Sequence, residues 1–163
     1  MKQVDEIFYD ALMADTALKT ACGYKAPTQS DPGAPARIKS TCFEVAPTAD
    51  DNTPLPFIIV MDDGFINSNE TKDDVWESTQ DDHVVSIEVS AKSPKAVDTL
   101  VETVRKAIGR YIITSLTEDE RPQLTSVQSN GKAWDWMKPC YHTTITYRCA
   151  TNYDNEYEQE SEE

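Results

Sequence analysis

The sequence predicts an α+β domain: a mostly antiparallel sheet with an N-terminal helix and one long amphipathic helix packed on one face. Three observations carry that prediction. Val4, Ile7, Phe8, Ala11 and Leu12 follow the spacing of one buried helical face. In "VVSIEVSAKSPKAVDTL", residues 84–100, Val85, Ile87, Val89 and Ala91 alternate with Glu88, Ser90 and Lys92, and then the apolar positions change to helical spacing. In "YHTTITYRCAT", Tyr141, Thr143, Ile145, Tyr147 and Cys149 alternate against His142, Thr144, Thr146 and Arg148, and the β-branched content marks a strand. The order of helix, strands, helix, strands places both helices against one sheet.

Taken in order, the first helix is followed by Asp15, a residue suited to cap a short second turn through Leu18, and by Gly23, a left-handed stop. Residues 24–36 contain three of the nine prolines and Gly33, and are expected to form a loop. "RIKSTCFEV" has β-compatible residues at Ile38, Phe43 and Val45. Phe57 to Met61 is a continuous apolar run, as expected of a central strand covered on both faces. The polar, acidic residues 67–82, with Trp76 the only bulky apolar anchor, read as a long excursion or hairpin tip before a strand at 83–91, within a connection spanning 62–82.

Ser93 and Pro94 form a helix start, a capping hydroxyl followed by a proline whose missing N–H costs nothing. Val97, Leu100, Val101, Val104 and Ile108 share one face, and Glu102 and Lys106 are spaced as an i,i+4 pair. Arg105, Lys106 and Arg110 suit the negative end of the helix dipole, and Gly109 either ends the helix or lies within it. Asn130-Gly131, between two short alternating runs, is the sequence signal of a two-residue hairpin, with Trp134 and Trp136 on one face beyond it.

Composition limits the functions available. The chain has 163 residues, enough for one domain with its own core, and no window reaches the roughly 18 apolar residues of a membrane span. The acids in "MKQVDEIFYD" make a cleaved signal peptide unexpected. Net charge is −14, and six acids lie among the last ten residues; without those six the remainder still carries −8. Residues 1–150 are therefore read as one domain and 151–163 as a solvated, disordered acidic tail. An acidic body is the wrong sign for gripping phosphates, so nucleic-acid binding is disfavoured as the main activity.

Candidate chemistry is sparse. Cys22, Cys42, Cys140 and Cys149 form no C-x-x-C pair, and with only His83 and His142 they do not match a zinc template, so free thiols are expected. A metal-dependent nuclease would set an Asp after one strand and Glu-x-Lys on the next. Here Asp62 and Asp63 follow one strand, but Glu88 and Lys92 are four residues apart, about 13 Å along a strand. "MDDGFINSNETKDD" lacks the ligand spacing of a calcium loop. Cys140 and His142 share a strand face without an evident orienting partner, and no phosphate-cradling glycine motif is present. No cofactor or metal is expected. What remains are candidate contact surfaces: Asp62, Asp63, Asp73, Asp74, Asp81 and Asp82, and the pair Trp134 and Trp136.

In sequence order, "IFYDALMADTALKTACG", "ARI", "PLPFIIV" with its proline-aromatic entry, and "HVVSIEVSAKSPKAVDTLVETVRKAI" resemble the tail-completion, or tail-terminator, proteins of long-tailed bacteriophages and prophages. The resemblance covers most of residues 4–150 and rests on order and spacing. It implies a structural, non-catalytic protein of the virion tail and neck, made in the host cytoplasm. Such a protein caps the tail tube and meets the head-neck connector as a ring, often hexameric, while the genome passes its channel. A monomer before assembly is also compatible with it. The alternatives are a generic protein-binding module and, behind it, the nuclease.

Overall fold

The computed structural model describes residues 3–41, 54–67, 80–135 and 139–152. Helix α1 (Val4–Ala14) begins with Asp5 and Glu6 in its first turn, where negative charge favours the dipole, and buries Ile7, Phe8, Ala11 and Leu12. The Asp15 carboxylate accepts the Leu18 N–H at 2.9 Å and starts α2 (Thr16–Ala21). The helix stops at Gly23, φ 86°. There the Tyr24 N–H reaches the Lys19 carbonyl and the Gly23 N–H the Thr20 carbonyl, the paired bonds of a Schellman ending.

After a loop closed by mutual backbone bonds between Lys25 and Ala34, the chain enters β1 (Ile38–Ser40), which pairs parallel with β2 (Phe57–Asn67). Phe43 and Val45 lie outside the described residues. Arg37 secures this corner: its Nε and Nη2 donate to the carbonyls of Pro56 (2.9 Å) and Leu55 (3.1 Å). Its guanidinium also lies against Gly23, where a Cβ would collide with it.

Strand β3 (Gln80–Ala91) pairs antiparallel with β2 on one side and, along its whole length, with β6 (Cys140–Asn152) on the other. The sheet order is β1-β2-β3-β6-β4, with β4 (Gln123–Ser129) at one edge and β5 (Ala133–Asp135) also beside β6. β1–β2 is the one parallel pair among these; the others are antiparallel, as the fold class anticipated.

Only Lys92 and Ser93 separate β3 from α3 (Pro94–Ser115), so the chain doubles back beneath its own strand. The Ser93 hydroxyl accepts the Ala96 N–H at 3.2 Å, with Pro94 at the first helical position. A 22-residue helix is about 33 Å long, comparable to the roughly 40 Å of a 12-residue strand, so α3 can follow β3 along its length. Val97, Leu100, Val104, Ala107 and Ile108 bury against Val85, Ile87 and Val89 of β3 and Ile145, Tyr147 and Cys149 of β6. Phe8 of α1 completes the layer, its ring centroid 4.9 Å from that of Tyr147.

Three expectations are corrected. Residues 62–67 and 80–82 are paired strand, so the β2–β3 hairpin is longer than the apolar pattern implied; backbone pairing there does not need apolar side chains. Gly109 lies inside α3, which runs on to Ser115, so Arg105, Lys106 and Arg110 stand in the body of the helix instead of at its negative end. Arg121 takes that place, donating from Nε to the carbonyls of Ile112 (3.0 Å) and Leu116 (3.2 Å) and from Nη2 to that of Ile113 (2.9 Å). The Glu102–Lys106 pair forms at 2.8 Å.

Finally, Asn130-Gly131 does not turn a hairpin. β4 and β5 run in the same direction along one edge of β6, Ser129 facing Ile145 and Ala133 facing His142. The intervening residues form an extra-residue irregularity, with Gly131 at φ 78° and the Asn130 N–H bonded to the Thr144 carbonyl at 3.1 Å. The left-handed conformation that the motif supplies is used to bulge a strand instead of reversing it.

Three outcomes follow from these contacts. Arg121→Ala leaves three C-terminal carbonyls of α3 to water and should lower stability by about 1 kcal/mol in urea titrations, with an unchanged m-value. Burial raises the Cys22 thiol to about 11 and the Cys149 thiol and Tyr147 phenol each to about 12. Because these acids are harder to ionise folded than unfolded, their contribution is intact below an ordinary thiol value of 9.0 and is lost as pH rises toward 11 and 12. The thermal midpoint should fall across that alkaline window, and Cys22 and Cys149 should resist thiol reagents at pH 8 until denaturant is added.

Candidate interaction surfaces

The pleat of the sheet decides which candidate residues can act together. Even-numbered residues of β2 and odd-numbered residues of β3 and β6 face the helices, as the buried set Ile58, Val60, Val85, Ile87, Ile145 and Tyr147 demonstrates. Asp62 and Asp63 therefore part company. The Asp62 carboxylate lies 3.1 Å from His83 Nε2 and accepts the Gly64 N–H at 2.8 Å. Asp63 is on the opposite face and accepts a hydrogen bond from the buried Ser86 hydroxyl. A register shift between Asp62 and Phe65, with Gly64 at φ 87°, bends β2 here and leaves Phe65 exposed.

Asp82 is half-buried on β3, and Asp81 belongs to the same strand beside Asn67. Asp73, Asp74 and Trp136 lie outside the described residues, as do Trp76 and residues 153–163 of the expected tail. Trp134 is on β5 directly opposite Tyr141, with their rings edge-on at 4.8 Å. Asp62, Asp63 and Asp82 thus mark the distal end of the β2–β3 hairpin, whereas Trp134 belongs to the far edge of the sheet; they are two surfaces, not one.

Of the nuclease candidates, Asp63 and Glu88 share the non-helical face, where Asp63 is bonded to Ser86. Glu88 faces away from the helices between Ile59 and Thr144, and Lys92 lies beyond the last residue of β3. Asp62, on the helix side, cannot share an ion with Glu88 through the sheet. Among the described residues no group of three or more His, Cys, Asp or Glu side chains is placed to hold a metal, and no helix is long and apolar enough to cross a membrane. The Cys140 and His142 side chains share the non-helical face, but Cys140 is buried. A groove between α1–α2 and α3 is lined by small residues, including Ala11, Ala14, Ala17, Thr103 and Ala107. The Asp15–Arg110 pair spans it at 3.6 Å, and it reads as a helix-packing seam.

Sequence reasoning reads the strand β4 but not its place at the edge of the sheet. All seven residues of β4 are exposed, and the strand has no charged residue. Leu124 faces Cys149 and Val127 faces Tyr147, the register shift at Thr125 bringing both to the helix side. Trp134, opposite Tyr141, extends the row. The signal is present in "QLTSVQS", but the Asn130-Gly131 pair points to the segment after Gly131 as its partner.

The bend at Gly64 generates a prediction. Gly64→Ala has open space for its methyl group but must hold φ near 87°, so it should cost about 1–2 kcal/mol in chemical denaturation through the backbone alone.

Comparison with known proteins gives no matching family model and no matching curated protein. Among solved structures, this chain is similar to a chain of the virion of a native gene transfer agent particle, at 12% identity and a TM-score of 0.47, over 91% of this chain and 94% of that one.

Proposed function

We propose that this chain is a non-catalytic structural protein of a phage or prophage tail, which caps the tail tube and joins it to the head-neck connector. The observation that carries the reading is the order of elements. The opening helix with its Asp15-capped second turn, the proline-aromatic entry to β2, and β3 passing through Ser93-Pro94 into a long amphipathic helix are the pieces on which the sequence resemblance rests. The scattering of the candidate carboxylates over two faces supports a role in contacts instead of chemistry.

In this reading residues 1–150 form the assembling domain, Thr151 and Asn152, expected in the tail, continue β6 as part of its sheet, and the acidic residues after them are an appendage. Copies of the chain close into a ring, its ends meeting the tube protein and the connector. An acidic wall repels phosphates, so a net charge of −14 would let the genome pass without adhering. Asp62, Asp63, Asp81 and Asp82 on the hairpin and Trp134 on the opposite edge are the described contact candidates.

Electron microscopy of purified tail tubes mixed with the protein tests the proposal. Density at one end of each tube is expected; decoration along the sides, or none, contradicts it. Supercoiled plasmid with Mg²⁺ or Mn²⁺ should stay intact, and cutting abolished by Glu88→Ala would replace this reading with the nuclease.

A further inference from the structure

An uncharged, exposed edge strand is unusual because sheets ordinarily defend such edges with charge, proline or cover. β4 has none of these within its seven residues, and β6 is its one neighbouring strand among the described residues. Leu124 is 40% and Val127 41% exposed on the helix side. Ser126 and Gln128 occupy the other face. The edge thus offers backbone hydrogen-bonding groups and an apolar row together.

Its flanks carry opposite charge. Before β4 the 3-10 turn Glu118–Glu120 is wholly acidic, and Arg121 is engaged at the end of α3. After it comes Lys132, held at the edge by Asp98 at 2.8 Å. Antiparallel alignment of two such strands lays each acidic turn toward the lysine of the other, whereas parallel alignment sets like beside like.

We infer that β4 is the seam of a two-fold pair, in which a second copy of this chain adds its own β4 antiparallel and continues the sheet. The register that opposes Leu124 of one copy to Val127 of the other brings four apolar side chains together on the helix side. It also directs Asp119 toward Lys132 of the second copy. The contact is isologous, so it closes the edge and stops further strand addition. This inference concerns the free protein and does not depend on the tail-assembly reading.

The test is sedimentation and light scattering of the full chain, with paired cysteines as a register probe. A dimer is expected, with Val127→Lys weakening it about tenfold or more while circular dichroism, and the urea midpoint at concentrations where both proteins are monomeric, stay unchanged. The double variant L124C/V127C should form a disulfide-linked dimer on mild oxidation. A monomer at all concentrations overturns the inference, as does a dimer indifferent to Val127→Lys. Failure of L124C/V127C to cross-link the dimer on oxidation overturns it too, by placing the contact elsewhere.

Discussion

The whole arrangement depends on β3 being paired along both edges while only one of its faces is covered by helices. Val85, Ile87 and Val89 are completely buried, and Glu88 between them faces the other way. A slip of one residue against β2 or β6 would turn Ser86, Glu88 and Ser90 into the apolar layer. Register is therefore fixed by burial, and the two-residue connection through Lys92 and Ser93 then commits α3 to lie beneath the same strand. Phe8, Leu12 and Leu18 fill what remains of that layer.

This dependence explains which features could be read in the sequence. Helix α1, the Asp15 cap, the Gly23 stop and the Ser93-Pro94 start are local, and each is set by residues within four positions of its effect. The alternation of β3 and β6 was equally legible because one face is apolar. Non-local decisions were not. Asn130-Gly131 carries the dihedral preference of a hairpin, but β6 offers β4 a longer partner than β5 does, and the dipeptide is absorbed as a bulge. Arg121 replaces Arg105, Lys106 and Arg110 at the end of α3 because the helix continues through Gly109, which no local rule decides.

The candidate surfaces were partly legible for the same reason. Asp62 and Asp63 are adjacent in sequence and separated by the sheet, a division that follows from the pleat and the bend at Gly64. Trp134 stands at the edge with Tyr141. β4, the most exposed strand of the sheet, had no chemical signature beyond its lack of charge, and its importance emerges only when its position beyond β6 is known. The described contact candidates accordingly lie on the β2–β3 hairpin and at the far edge of the sheet, both positioned by the register of β3.

Native-state hydrogen exchange tests that division most directly. The account predicts that amides of Val85 to Val89, bonded between β2 and β6, exchange only through global unfolding, while β4 amides exchange far faster in the monomeric Val127→Lys variant. Equal protection of β3 and β4 in that variant, or early opening of β3, would contradict a structure organised around a doubly paired central strand.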